Sequence, residues 1–78
     1  MTEVVVPKWG LTVDSVRITL KLRSDGDHVR QGDPICEVET DKAVAHIEAT
    51  GAGILAWVAE VDDEVAVGGV VARISEAS

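Results

Sequence analysis

Asp27-His28-Val29-Arg30-Gln31-Gly32-Asp33-Pro34-Ile35-Cys36-Glu37-Val38 returns 36 residues later as Asp63-Glu64-Val65-Ala66-Val67-Gly68-Gly69-Val70-Val71-Ala72-Arg73-Ile74. Apolar and turn-forming positions coincide, with Asp27 matching Asp63, Val29 matching Val65, Gly32 matching Gly68, Ile35 matching Val71 and Val38 matching Ile74. Carried backward, the same offset matches Leu22 to Val58 and Ile18 to Ile54. Each copy is one supersecondary unit whose apolar face it cannot bury by itself. Two such units are expected to pack face to face into an all-β flattened barrel or sandwich with approximate two-fold symmetry. The segment around Asp41-Lys42 then joins the halves as a hairpin.

Turn signals recur at Pro7 to Gly10, Ser24 to Asp27, Gly32 to Pro34, Thr40 to Lys42, Thr50 to Gly53, Asp62-Asp63 and Gly68-Gly69. The runs between them are too short for stable helices. They predict strands at Glu3 to Val6, Val16 to Leu22, Pro34 to Glu39, Ala43 to Glu48, Ile54 to Glu60 and Val70 to Ile74, with short extended pieces around Val29 and Val65. Within Val16 to Leu22, the residues Val16, Ile18, Leu20 and Leu22 share one face and alternate with Arg17, Thr19, Lys21 and Arg23, which predicts one core side and one solvent side. Ala43, Ala45 and Ile47 alternate with Val44, His46 and Glu48 in the same way.

With 78 residues the chain has room for a single domain, 1–78, near the lower size limit for a fold held by a hydrophobic core alone. Residues 75–78 read equally as a tail or as the start of a linker. There is no Phe or Tyr, and Trp9 and Trp57 are the aromatics, so the core must come from Val, Ile, Leu and Ala. Trp57, matched to Lys21 by the repeat, is expected to be partly exposed over neighbouring side chains. The single cysteine, Cys36, excludes an internal disulfide and reads as a small packed residue in a strand, and no ligand spacing points to a metal. A net charge of -7 argues against binding to nucleic acid or an anionic membrane surface, both of which call for a basic patch. No segment has the apolar length to span a bilayer and none begins as a secretory signal, so the expected location is a reducing compartment, the cytoplasm of a bacterial or archaeal cell or the mitochondrial matrix for a eukaryotic chain.

Lys42 is the residue most open to chemistry. Glu39-Thr40-Asp41-Lys42-Ala43 lies between two strand-like runs, which should put the Lys42 amine at an exposed hairpin tip. Nothing nearby would depress its pKa, and Glu39 and Asp41 favour its charged form, so a Schiff-base role has little support. A long stem in solvent is instead accessible to a modifying enzyme. By spacing alone, a solvated turn lysine is the commoner reading of such a position. His28 and His46 lack a nucleophile motif nearby and read as surface residues.

Glu37-Val38-Glu39-Thr40-Asp41-Lys42-Ala43 resembles the lipoyl-lysine motif of the lipoyl domains in 2-oxo acid dehydrogenase complexes. The resemblance extends through V-P-K-W-G-L at Val6 to Leu11, D-G-D-x-V-x-x-G-D at Asp25 to Asp33, Gly53-Ile54-Leu55 and V-x-V-G-G-V-V at Val65 to Val71. It implies two four-stranded antiparallel sheets, the barrel-sandwich architecture that the repeat predicts independently. It further implies that lipoate ligase or a lipoyltransferase joins lipoic acid to Lys42 by an amide bond. A thiamine-dependent decarboxylase would then reductively acylate the dithiolane, an acyltransferase core would pass the acyl group to coenzyme A, and dihydrolipoamide dehydrogenase would reoxidise the dithiol. The domain itself would catalyse no step. In such domains Glu39, Thr40, Asp41 and Ala43 would present the lysine, while Lys8, Trp9 and Leu11 would lie in the loop that contacts the decarboxylase. Trp9 reads equally as a packed loop aromatic. P-K-W-G-L is similar to the version in acetoin-cleaving complexes.

The chain departs from this pattern in three places. Val13-Asp14-Ser15-Val16 replaces the usual M-x-E-G, which bears on partner identity; Asp62 stands where glycine is common; and His46 stands where an acid is frequent. The nearest rival is a biotin carrier domain, whose lysine typically sits between methionines, whereas Asp41 and Ala43 flank Lys42 here. A glycine-cleavage carrier is usually longer, and an unmodified acidic interaction module would not need this lysine context. A small hydrolase would need a nucleophile, base and orienting acid, and no such set is recognisable.

Overall fold

The computed structural model describes residues 2–8, 14–40 and 43–76. Eight strands follow one another: β1 (Thr2–Val5), β2 (Ser15–Lys21), β3 (His28–Val29), β4 (Pro34–Glu39), β5 (Val44–Glu48), β6 (Gly53–Trp57), β7 (Glu64–Ala66) and β8 (Val70–Ser75). They form two four-stranded antiparallel sheets, in the orders β1-β8-β6-β3 and β5-β4-β2-β7. Replacing each strand of one order by its counterpart in the other half gives the second order, with β1 becoming β5, β2 becoming β6, β3 becoming β7 and β4 becoming β8. That exchange is the two-fold symmetry expected from the repeat. The two sheets remain separate, so the architecture is the sandwich of that expectation and not a closed barrel.

The space between the sheets is filled by Val4, Val6, Val16, Ile18, Val29, Ile35, Cys36, Val38, Ile47, Ala49, Leu55, Ala59, Val71, Ala72 and Ile74, with no buried polar or charged residue among those described. These are mainly β-branched side chains, whose stiff rotamers suit a pleated, half-buried surface. Connections repeat along with strands. Gly32 donates its N–H to Ala49 O and Gly68 to Val6 O, both at 2.9 Å, and both glycines hold positive φ, near 92° and 87°. Ser24 N–H bonds the Asp27 carboxylate just as Glu60 N–H bonds that of Asp63.

Three details differ from the sequence reading. The sixth strand ends at Trp57 and not at Glu60, because Val58 and Ala59 both donate to Val71 O and the chain then turns through Glu60–Asp63. Leu20, expected in the core, is 49% exposed, and Leu22 is only half-buried. The cause is a bulge. In the β2–β4 pair Ile18 faces Val38 but Leu20 already faces Glu37, so Thr19 is an extra residue that reverses the alternation. In the equivalent β6–β8 pair Leu55, Ala56 and Trp57 face Ile74, Arg73 and Ala72 without interruption. The structural counterpart of Ile18 is therefore Leu55, not Ile54, and the offset between halves is one residue longer before Thr19 than after it.

Lys21 and Trp57, matched by the repeat, also touch: the Lys21 Nζ lies 4.8 Å from the centre of the Trp57 ring. Symmetry-related residues that meet must lie near the two-fold axis. Trp57 is half-buried as expected, with its ring N–H donated to Arg23 O at 2.9 Å.

Asp62 occupies the position of Gly26 in the other half and has the same left-handed backbone, φ 75° against 87°. A side chain is strained there, although aspartate tolerates it better than most. Asp62→Gly should stabilise the fold by roughly 0.5–1 kcal/mol, seen as a raised midpoint in thermal unfolding, and Asp62→Val should lower it.

Candidate functional site

The hairpin of β4 and β5 is anchored on its inner side by Val38 and Ile47, both buried, and by half-buried Ala45. Its arms run in register, Glu37 facing His46, Val38 facing Ala45 and Glu39 facing Val44. Beyond Glu39 and Val44 the turn is closed by Thr40 and Ala43. Thr40 N–H donates to Ala43 O at 2.8 Å, the Thr40 hydroxyl donates to the same oxygen at 3.0 Å, and Ala43 N–H donates to Thr40 Oγ1 at 3.0 Å. Threonine is suited to this place because its hydroxyl can satisfy backbone groups that the sheet ladder leaves unpaired. Glu39 and Ala43 are exposed and Thr40 is half-buried. Asp41 and Lys42, which the sequence reading placed at the tip, lie outside the described residues.

On the outer face, polar side chains link three strands beside this turn. Arg17 of β2 pairs with Glu39 at 3.7 Å, and His46 of β5 lies 3.8 Å from the Glu37 carboxylate. Both partners of the first pair are about half exposed, so the bridge contributes little stability, on the order of 0–1 kcal/mol. Sequence reasoning placed Arg17 on the solvent side without assigning it a partner. Alternation tells which face a residue occupies, but cross-strand register tells which residue it meets.

Of the three loop residues nominated for partner contact, Lys8 is exposed, while Trp9 and Leu11 lie outside the described residues. The structure does fix where their segment is attached. Val6 N–H donates to Gly69 O, Gly68 N–H to Val6 O, and Val67 N–H to Asp14 O, so the β7–β8 turn holds the chain on both sides of the segment. Arg17 faces Glu39, and therefore Ser15 and Asp14 extend past the end of β4 on the side of the Thr40–Ala43 turn.

His28 and His46 are both exposed, on different sheets. Cys36 is fully buried within β4, and burial pushes its thiol from 9.0 up to about 11, outweighing the opposing influence of the Ile47 backbone hydrogen bond and the Lys21 charge. It is a packed core residue, as expected.

A family model described as "Biotin-requiring enzyme" matches residues 2–74. The chain belongs to the biotinyl/lipoyl-attachment family. It is 38% identical over 72 residues to the dihydrolipoyllysine-residue acetyltransferase component of the acetoin cleaving system of Pseudomonas putida, covering 91% of this chain and 20% of that protein. It is 41% identical over 78 residues to the corresponding component of the pyruvate dehydrogenase complex of Corynebacterium glutamicum, covering 99% of this chain and 12% of that protein. The chain thus spans a fifth or less of these two relatives. The solution structure of the lipoyl domain of the 2-oxoglutarate dehydrogenase complex from Azotobacter vinelandii superposes over 100% of both chains with a TM-score of 0.77 at 22% identity, which shows a shared fold.

The Cys36 thiol makes a pH-dependent contribution whose sign follows from its raised pKa. Below about pH 9 the thiol is protonated folded and unfolded, and the fold keeps its full stability. Between 9.0 and about 11 the unfolded chain releases a proton that the folded chain retains, so stability falls. Relative to Cys36→Ala, the parent chain should lose about 2 kcal/mol more between roughly pH 8 and 10.5 in urea denaturation. The absence of tyrosine leaves few other groups to titrate in that window.

Proposed function

We propose that this chain is a lipoyl carrier domain of a dihydrolipoamide acyltransferase, modified on Lys42 by lipoate ligase or a lipoyltransferase. The observation that carries the reading is the seven-residue stretch Glu37–Ala43 on a hairpin whose turn is closed by Thr40 and Ala43. The names of the two relatives above, both dihydrolipoyllysine-residue acetyltransferase components, support the same cofactor.

The hairpin fits a covalent attachment. Its arms are anchored in an apolar core while the residues flanking the proposed lysine face solvent at Glu39 and Ala43. Attached lipoic acid would supply a dithiolane able to take up an acyl group reductively and to be reoxidised afterwards. The chain's own residues supply no acid, base or nucleophile to that chemistry. Thr40 and Ala43 hold the turn closed, Glu39 and Asp41 keep its approach acidic, and the sandwich gives the lysine stem a rigid base. Tethering then matters more than binding, because a group confined to one scaffold meets each partner site at an effective concentration set by the tether and not by diffusion. The partners in this reading are a thiamine-dependent decarboxylase, the acyltransferase core and dihydrolipoamide dehydrogenase. Lys8, Trp9 and Leu11, in a segment attached on the hairpin side of the sandwich, would meet the decarboxylase.

The description of the family model keeps biotin as the second reading. Incubation with lipoate ligase, lipoate and ATP should add one lipoyl mass to the intact chain. Lys42→Ala should abolish the addition and Cys36→Ala should retain it, while biotin ligase with biotin and ATP should yield no avidin-retained product. Modification of the Lys42→Ala chain, or biotinylation in place of lipoylation, would overturn the proposal.

A further inference from the structure

The two halves differ at one place that packing does not require. The bulges elsewhere come as a symmetric pair: Ile35 is the extra residue of β4 against β5, and its counterpart Val71 is the extra residue of β8 against β1. The Thr19 bulge has no counterpart, since Leu55, Ala56 and Trp57 run along β8 without interruption. The second half therefore builds the same strand in the same topology without this residue. The unmatched insertion lies in the sheet that carries the β4–β5 hairpin, between Ile18 and Leu20, which pair with Val38 and Glu37 at the start of the seven-residue stretch.

Thr19 is also tied to that stretch chemically. Its hydroxyl donates to Glu37, with the main-chain oxygen at 3.1 Å and Oε2 at 3.3 Å, and the Glu37 carboxylate in turn lies 3.8 Å from His46 across the hairpin. The bulged residue thus grips the first arm of the hairpin while Glu37 links that arm to the second. Bulges bend a strand, raise its local twist and re-aim what lies beyond them. Thr40 is three residues past Glu37 on β4, so a change of about 10° in the twist of the β2–β4 pair at the bulge, acting over ~10 Å of strand, moves the turn by about 2 Å. A displacement of that size is enough to spoil the approach of a reacting group.

We infer that Thr19, through its bulge and its hydrogen bonds to Glu37, is a positioning residue that aims the hairpin so that Lys42 meets the modifying enzyme. The inference rests on the lipoyl reading proposed above. It is tested by steady-state kinetics of lipoate ligase on four chains: the parent, Thr19→Val, Thr19→Ser and a chain with Thr19 deleted, with thermal unfolding followed in parallel. Thr19→Val keeps shape but cannot donate, and the deletion gives β2 the residue count of β6. Both should remain cooperatively folded while kcat/KM for lipoylation falls about tenfold or more, carried mainly by kcat, and Thr19→Ser should restore it to within about twofold. Parental kcat/KM in Thr19→Val, or a loss in Thr19→Ser as large as in Thr19→Val, would overturn the inference. If the deletion does not fold, Thr19→Val decides alone. A parent chain that the ligase leaves unmodified would instead sink the lipoyl reading.

Discussion

Each sheet of this chain takes two strands from each half, and that interleaving organises everything else. Each sheet offers an apolar face made of small branched side chains, and four short strands alone have too little interior to bury it. Stacking the two faces closes the gap. Val16, Ile18, Ile35 and Val38 from one sheet meet Val4, Leu55, Val71 and Ile74 from the other in a single cluster that contains no buried polar or charged side chain among the described residues. Because these positions face inward, by alternation and by the paired bulges at Ile35 and Val71, polar residues are left for the outer faces, where the charge pairs run.

The pseudo-symmetry has a further consequence. Residues on the axis meet their own counterparts, as Lys21 and Trp57 do, and residues far from the axis are sent to opposite ends of a molecule 40 Å long and 20 × 17 Å across. The β4–β5 hairpin, which joins the halves, is matched under the exchange by the antiparallel pair of β8 and β1. Among the described residues β8 and β1 are not consecutive strands, so that pair has no connecting hairpin of its own.

Stability is concentrated away from that hairpin's turn. The anchors Val38 and Ile47 are in the core, whereas the turn depends on bonds between Thr40 and Ala43 at the surface. Side-chain substitutions at exposed Glu39 and Ala43 therefore have little means of disturbing the sandwich. In this chain the turn is approached by an acidic residue, Glu39, and the strand behind it carries a bulge at Thr19 that the other half lacks.

The sequence by itself determined the fold class, the eight extended segments, the pairing of the halves and the hairpin between β4 and β5. These follow from a repeat of apolar and turn residues and from alternation, both of which are local patterns written along one dimension. It also singled out Lys42 and its flanks by the residues around them. Only the tertiary structure decided the register. Nothing in V-R-I-T-L-K marks Thr19 as supernumerary, since the apolar alternation continues through Leu20 and Leu22; the bulge exists only relative to Glu37 and Val38 across the ladder. The same holds for the match of Ile18 to Leu55, for the pairing of Arg17 with Glu39, and for the β7–β8 turn that anchors the chain on either side of the 9–13 segment. Each is a relation between residues distant in the chain, fixed by hydrogen bonding between strands.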